Sequence, residues 1–80
     1  GPCTLIAHNN RIEDNVNLIC SHLYGSVTVE ENTLVVGSII KNQCRVGRDS
    51  IVGIGSAVLQ DVESGKVAAG IPARVIREKG

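Results

Sequence analysis

The sequence predicts an all-β fold, a parallel β-solenoid of about three and a half to four triangular coils that ends in a C-terminal capping strand. Three observations carry this expectation: a 17-residue repeat, a shorter apolar beat of five to six residues inside each repeat, and a core that must be built without large side chains. The 80 residues hold no Phe, Trp or Met and a single aromatic, Tyr24, against nine Ile, eleven Val and five Leu. So many β-branched aliphatics favour thin, stacked strands over a helical bundle.

The repeat reads IEDNVNLICSHLYGSVT from Ile12, VEENTLVVGSIIKNQCR from Val29 and VGRDSIVGIGSAVLQDV from Val46, with residues 3–11 as the end of an earlier copy. Its columns agree in chemistry: Ile12, Val29 and Val46; Leu18, Val35 and Val52; Asp14, Glu31 and Arg48; Asn15, Asn32 and Asp49. Within a repeat the beat runs Ile12, Leu18, Leu23 and then Val29, Val35, Ile40, which gives each coil three sides. A strand of three to five residues and a turn rich in Gly, Asn, Asp and Ser fit each side, and no segment sustains the helical i, i+3, i+4, i+7 pattern. Coils stacked about 4.8 Å apart turn every column into a ladder. The inward ladders are aliphatic because a narrow prism has no room for a ring. Residues 3–65 are assigned to the coils and 66–80 to a capping segment, where Pro72 suits a strand that leaves the prism. Gly1-Pro2 reads as a protease-cleavage remnant.

Eight basic and eight acidic residues balance. No global field therefore recruits nucleic acid, and there is no aromatic platform on which bases would stack. The balance hides an asymmetry: Lys66, Arg74, Arg77 and Lys79 against Glu78 make the last fifteen residues the anion-attracting end. No apolar run approaches the roughly 20 residues of a membrane span, so neither nucleic acid nor membrane is an expected partner, and a reducing, cytoplasmic setting is the default. A lone domain of this size buries only about 60% of its unfolded surface, which asks for oligomerisation.

The beat, with Val46-Gly47, Val52-Gly53, Gly55-Ser56-Ala57-Val58, Asp61 and Gly70-Ile71-Pro72-Ala73-Arg74, resembles the hexapeptide-repeat acyltransferases of the left-handed β-helix class. The segment Ala7-His8-Asn9-Asn10-Arg11-Ile12-Glu13-Asp14-Asn15-Val16 resembles the bacterial sialic-acid and nucleotide-sugar acetyltransferases, which carry a His-polar pair before an Ile-x-Asp-Asn-Val segment. The likeness covers residues 4–77 and implies a left-handed coil, against the usual right-handed rule for parallel crossovers. It also implies a homotrimer with the active site between neighbouring prisms, acetyl-CoA as acyl donor, and a sugar or nucleotide-sugar as acceptor through a hydroxyl or amine. Two departures stand out. Glu13 and Glu30 replace the Gly that follows the aliphatic residue in the family pattern, so the first two full coils are expected to be less regular than the third. The N-terminal substrate-binding domain common in relatives is also not among these residues. A non-catalytic trimeric β-solenoid, a truncated or degenerate acyltransferase domain, is therefore the alternative reading.

Acyl transfer from a thioester needs a base for the proton of the incoming group, and a neutral imidazole suits that task at physiological pH. His8 stands where the resembled family places its base. The repeat puts Gly25 in the same column, seventeen residues on, where a bare N–H can stabilise an oxyanion. The plain alternative is a solvated turn histidine beside a glycine that relieves a turn. Relatives often set an acidic residue next to the base, whereas here the neighbour is Asn9; Glu13 or Asp14, from this subunit or the next, are the candidate substitutes. His22 either lines the acceptor pocket or is an outward structural histidine. Gly37-Ser38 and Gly55-Ser56-Ala57 stack on adjacent coils, either to admit the pantetheine arm of coenzyme A to the backbone or to pack subunits closely. Arg74 and Arg77, with Lys79, are the candidates for the coenzyme A phosphates, unless simply solvated.

Cys3 and Cys20 share a column at about 5 Å, within disulfide range, but a reducing setting favours free buried thiols. No metal is expected, because the interface zinc site of γ-class carbonic anhydrase-like hexapeptide proteins takes three histidines and this chain has two.

Overall fold

A computed structural model describes residues 4–79 of the chain. Among them there is no helix, and twelve short strands wind into a three-sided prism of four turns. Face I holds β1 (Leu5–Ile6), β4 (His22–Leu23), β7 (Ile39–Ile40) and β10 (Ala57–Val58), all parallel. Face II holds β2 (Arg11–Ile12), β5 (Thr28–Val29) and β8 (Arg45–Val46), continued by a bridge from Val46 to Val62. Face III holds β3 (Asn17–Ile19), β6 (Leu34–Val36), β9 (Ile51–Val52) and β11 (Lys66–Ala69), with β12 (Arg74–Glu78) folded back antiparallel on β11. The prism and its stacked parallel faces are those of a left-handed β-helix, as expected.

The columns read from the sequence are the ladders observed. Ile12, Val29 and Val46 pair in register, as do Leu18, Val35 and Val52. Most strands span only two or three residues, shorter than the three to five expected, because sharp corners take up the rest of each side. Every corner is a stack of residues with left-handed φ: Asn9, Ser26 and Gln43 between faces I and II; Asn15, Asn32, Asp49 and Gly65 between II and III; Cys20, Gly37, Gly55 and Gly70 between III and I. Asn and Asp tolerate that conformation and Gly adopts it freely, which explains the turn composition.

Leu23, Ile40 and Val58, Val29, Val46 and Val62, and Val35, Val52 and Ala68 fill the prism from the three faces. Each fully buried Val, Leu or Ile contributes roughly 1.5–3 kcal/mol. Two further inward ladders, Ser21/Ser38/Ser56 and Thr33/Ser50, are polar and close their own hydrogen bonds. Ser38 Oγ donates to Gly53 O at 2.8 Å, Ser50 Oγ to Glu63 O at 3.0 Å and Thr33 Oγ1 to Gly47 O at 3.2 Å, and no buried side-chain N or O among the described residues lacks a partner. The two ends differ. Ala73 packs on the last coil, where Val58 is 1% exposed, while Ile6 in the first coil is 48% exposed.

The expected irregularity of the first two coils is reversed. They step by seventeen throughout, and the break comes at the last coil: Ile40 pairs with Val58, eighteen on, and Val46 with Val62, sixteen on. Glu13 and Glu30 do not disturb the coil, because their carboxylates accept the amides of Glu31 (3.3 Å) and Arg48 (3.2 Å) on the next turn. The shortened step instead carries Ser64 over Gly47, the one place in this column where the chain demands glycine.

Cys44 is a free, buried thiol on the inner ladder of face II, and Cys20 is exposed at its corner rather than buried. Cys3, and with it the Cys3/Cys20 question, lies outside the described residues. Burial pushes the Cys44 thiol above its ordinary value of 9.0, and the Asp61 carboxylate adds to the shift. With the native value raised, the associated stability is fully present below the unfolded pKa and is lost as pH rises through the native one. Cys44→Val, which repeats the residue of the preceding rung, is expected to remove part of the stability loss seen above about pH 9. Denaturant midpoints of both proteins across that range check it; identical alkaline slopes would contradict it.

Candidate functional site

The corner between faces I and II carries the His8 column. Ser26 N–H donates to His8 O at 3.0 Å and Gln43 N–H to Gly25 O at 2.9 Å, so His8, Gly25 and the residue after Lys41 stack turn upon turn. His8 is exposed, and its imidazole makes no hydrogen bond or ion pair among the described residues. Gly25 has φ +153°, where L side chains rarely sit, and a Cβ there would stand 3.5 Å from His8 O. Its N–H donates to no acceptor among the described residues. The pair named from the column therefore occupies adjacent coils, with an unengaged imidazole on one and an unengaged amide on the next.

The partners weighed for His8 are placed elsewhere in the protomer. Asn9 occupies the corner with φ 60°. Glu13 bonds Glu31 N–H and pairs with Arg11 at 3.4 Å at the far edge of face II, and Asp14 lies on that same corner, its carbonyl accepting Asn32 N–H. His22 points outward on face I between Leu5 and Ile39.

Gly37 and Gly55 stack on the corner between faces III and I, Gly55 N–H donating to Gly37 O at 3.1 Å. A Cβ on Gly55 would meet nothing within 4 Å, and one on Gly37 nothing nearer than 3.7 Å, so packing within the protomer does not require either to be small. The hydroxyls of Ser38 and Ser56 turn inward to Gly53 O, so a ligand would meet the glycines, Ala57 and backbone. The amides of Gly37, Ser38, Gly55 and Ala57 are already bonded, which makes the corner a place for close approach rather than a set of free donors. The turn at Gly70 closes the stack: Ala57 N–H donates to Gly70 O and Ala73 N–H to Ala57 O, which delivers Arg74 to the end of this corner. Arg74 lines a cavity of about 410 Å³ under the cap with Asp61, Glu63 and Pro72, and takes part in no ion pair among the described residues. Arg77 sits opposite Val67, about 10 Å further along β12 at roughly 3.3 Å per residue, away from the corner. No three His, Cys, Asp or Glu side chains among the described residues converge as a metal-ligand set.

Two half-sites thus lie on opposite edges of face I, roughly 15 Å apart at about 3.3 Å per residue. Column reasoning located both but missed Asn10. The signal was present: Asn10 is the polar member of a column whose other members, Val27 and Cys44, are buried.

A triangular prism with stacked αL corners and an antiparallel closing strand defines the class of left-handed β-helix proteins. No model of a known family matches the chain. Its sequence is 42% identical over 53 residues to a 2,3,4,5-tetrahydropyridine-2,6-dicarboxylate N-acetyltransferase of Staphylococcus aureus, which covers 65% of this chain and 22% of that protein. Among solved structures, a hexapeptide-repeat-containing acetyltransferase from Vibrio cholerae superposes with TM-score 0.76 at 17% identity, covering 96% of this chain and 71% of that one. A variant of perosamine N-acetyltransferase from Caulobacter crescentus, solved with coenzyme A and GDP-perosamine, gives 0.65 at 21% identity over 92% of this chain and 53% of that one. The likeness shows the fold: the chain is a left-handed β-helix similar in structure to hexapeptide-repeat acetyltransferases. It spans about a fifth of the length of the curated relatives it matches.

Proposed function

We propose that the chain forms the acyl-transfer part of an acetyl-CoA-dependent acetyltransferase that acts on an amino or hydroxyl group of a sugar or nucleotide-sugar, in the cytoplasm. The observation that carries this reading is the His8–Gly25 pair, an exposed imidazole with no partner on the coil next to an amide with no acceptor among the described residues. As the acceptor nitrogen or oxygen attacks the thioester carbonyl carbon, His8 takes the proton that the acceptor sheds. Gly25 N–H supports the charge on the carbonyl oxygen. When the carbon–sulfur bond breaks, the proton on His8 passes to the departing thiolate.

The donor is assigned to the Gly37/Gly55 corner, where open glycine surfaces fit a thin pantetheine arm and Arg74 meets a phosphate at the end. Because the two half-sites sit on opposite edges of face I, one protomer does not complete the site, and a cyclic homotrimer brings the His8 corner of one prism to the glycine corner of the next. The faces favour that arrangement. Face II presents Arg11, Glu13, Glu30 and Arg45 in two ion pairs, whereas face I presents Leu5 and Ile39 and face III presents Ile19, Leu34 and Ile51. The relatives' names differ in acceptor, a cyclic dicarboxylate in one and a GDP-linked amino sugar in another. Acetylation of a panel containing free and nucleotide-linked amino- and hydroxy-sugars, followed by mass spectrometry, tests the sugar assignment; transfer only to non-sugar amines overturns it.

Arg74→Ala is expected to weaken coenzyme A binding roughly tenfold, about 1.4 kcal/mol, with the difference shrinking as salt is raised. Equal affinity in titrations at low salt would remove Arg74 from the phosphate site. The non-catalytic solenoid is favoured by one observation, that no side chain of the described residues orients the His8 ring.

A further inference from the structure

We infer that Asn10 is a positioning residue that locks the His8 turn to the Gly25 turn. The inference rests on the reading of that pair as the base and the oxyanion donor. Asn10 Oδ1 accepts the N–H of Val27 at 2.8 Å, and Asn10 Nδ2 donates to Ala7 O at 3.2 Å and to Leu23 O at 3.4 Å. Ala7 and Asn10 bracket His8 on the first coil, and Leu23 and Val27 bracket Gly25 on the second. One amide side chain therefore ties together both flanks of the donor turn and the near flank of the base turn.

The surroundings show why this contact is specific to these two coils. On the next rungs the column carries Val27, which has no polar group, and Cys44, whose thiol reaches only Val58 O at 3.9 Å. Val27 is fully buried, so its N–H has no recourse to water, and Asn10 Oδ1 is its acceptor. The geometry of an acyl-transfer site must be held within fractions of an ångström for the base and the oxyanion donor to act on one carbonyl group. Loops alone set this pair, since neither His8 nor Gly25 lies in a strand. Asn10 supplies the rigidity that the short strands do not.

The test uses the full chain in its assembled state and compares Asn10→Val with Ser50→Ala. The second variant also loses two inner-ladder hydrogen bonds, to Arg48 O and Glu63 O, but on the opposite corner of the prism. In Asn10→Val, amide exchange at Ser26 and Val27 is expected to quicken at least tenfold relative to Ser50→Ala. Its kcat should fall at least tenfold, with the KM for acetyl-CoA within twofold of wild type. Equal exchange and equal kcat in the two variants would overturn the assignment, and the exchange measurement needs no acceptor. If Asn10→Val does not fold, Asn10→Asp decides. It keeps the acceptor for Val27 N–H and loses the donors to Ala7 and Leu23, so kcat should fall while the KM for acetyl-CoA stays within twofold of wild type. An unchanged kcat would overturn the assignment. Wild-type rates in His8→Ala would overturn the underlying reading of the pair as well, so the two failures are told apart.

Discussion

Replacing His8 with alanine is expected to lower kcat for acetyl transfer by roughly 10²–10⁴-fold, the usual contribution of a positioned general base. The KM for acetyl-CoA should change little, because the donor is assigned to the glycine corner on the other edge of face I and not to the imidazole. The expected loss is confined to chemistry: His8 is exposed, and its side chain bonds to nothing among the described residues, so folding should be untouched. Steady-state rates with saturating acceptor, together with a thermal melt of each protein, separate the two effects. Rates within a fewfold of wild type would assign His8 to solvent and remove it from the base role.

Gly47→Ala is expected to produce the largest stability loss of any single methyl addition at a glycine. A Cβ at this buried position would stand 2.5 Å from Ser64 N, 2.6 Å from Ser64 Oγ and 2.8 Å from Ser64 Cα. The obstacle is backbone, so it does not swing aside. It is also held on both sides: Gly47 N–H donates to Val62 O at 2.7 Å, Val62 N–H to Arg45 O at 2.8 Å and Gly65 N–H to Arg48 O at 2.9 Å. Relief of the clash means giving up some of these bonds or opening the last coil, at roughly 1–3 kcal/mol or more. For a domain of this size that corresponds to a fall in Tm of roughly 4–8 °C per kcal/mol. Gly55→Ala is the comparison, since its Cβ meets nothing within 4 Å and it bears only the strain of φ +73°. A smaller shift in Gly47→Ala than in Gly55→Ala would contradict the close approach of the Ser64 backbone to Gly47.

Much of the fold could be read from column chemistry. The aliphatic ladders, the Asn15/Asn32/Asp49 corner and the His8/Gly25 juxtaposition all follow from one spacing, because parallel coils of constant length place residue i over residue i+17. What could not be read there was any departure from that spacing. The last coil steps by eighteen on face I and by sixteen on faces II and III, although the motif at Val46-Gly47 looks like the most regular part of the chain. Glu13 and Glu30 misled for the converse reason: they differ from the family pattern in composition, yet their carboxylates bond the next turn and keep the coil regular. The site was legible as two separate columns. That the columns occupy opposite edges of face I depends on which corner each turn makes, and this requires the strands themselves. Asn10 was legible as a polar residue in a buried column, but its three bonds depend on side-chain direction, which a column does not give.

The central claim is that the glycine corner and Arg74 hold a thin, phosphate-bearing acyl donor beside the His8–Gly25 pair. Titration of coenzyme A into the assembled protein by calorimetry tests it most directly. The account predicts saturable binding of roughly one coenzyme A per protomer, abolished when Gly55→Leu fills the corner. Absence of binding to the wild-type protein, or binding that Gly55→Leu leaves intact, would contradict it.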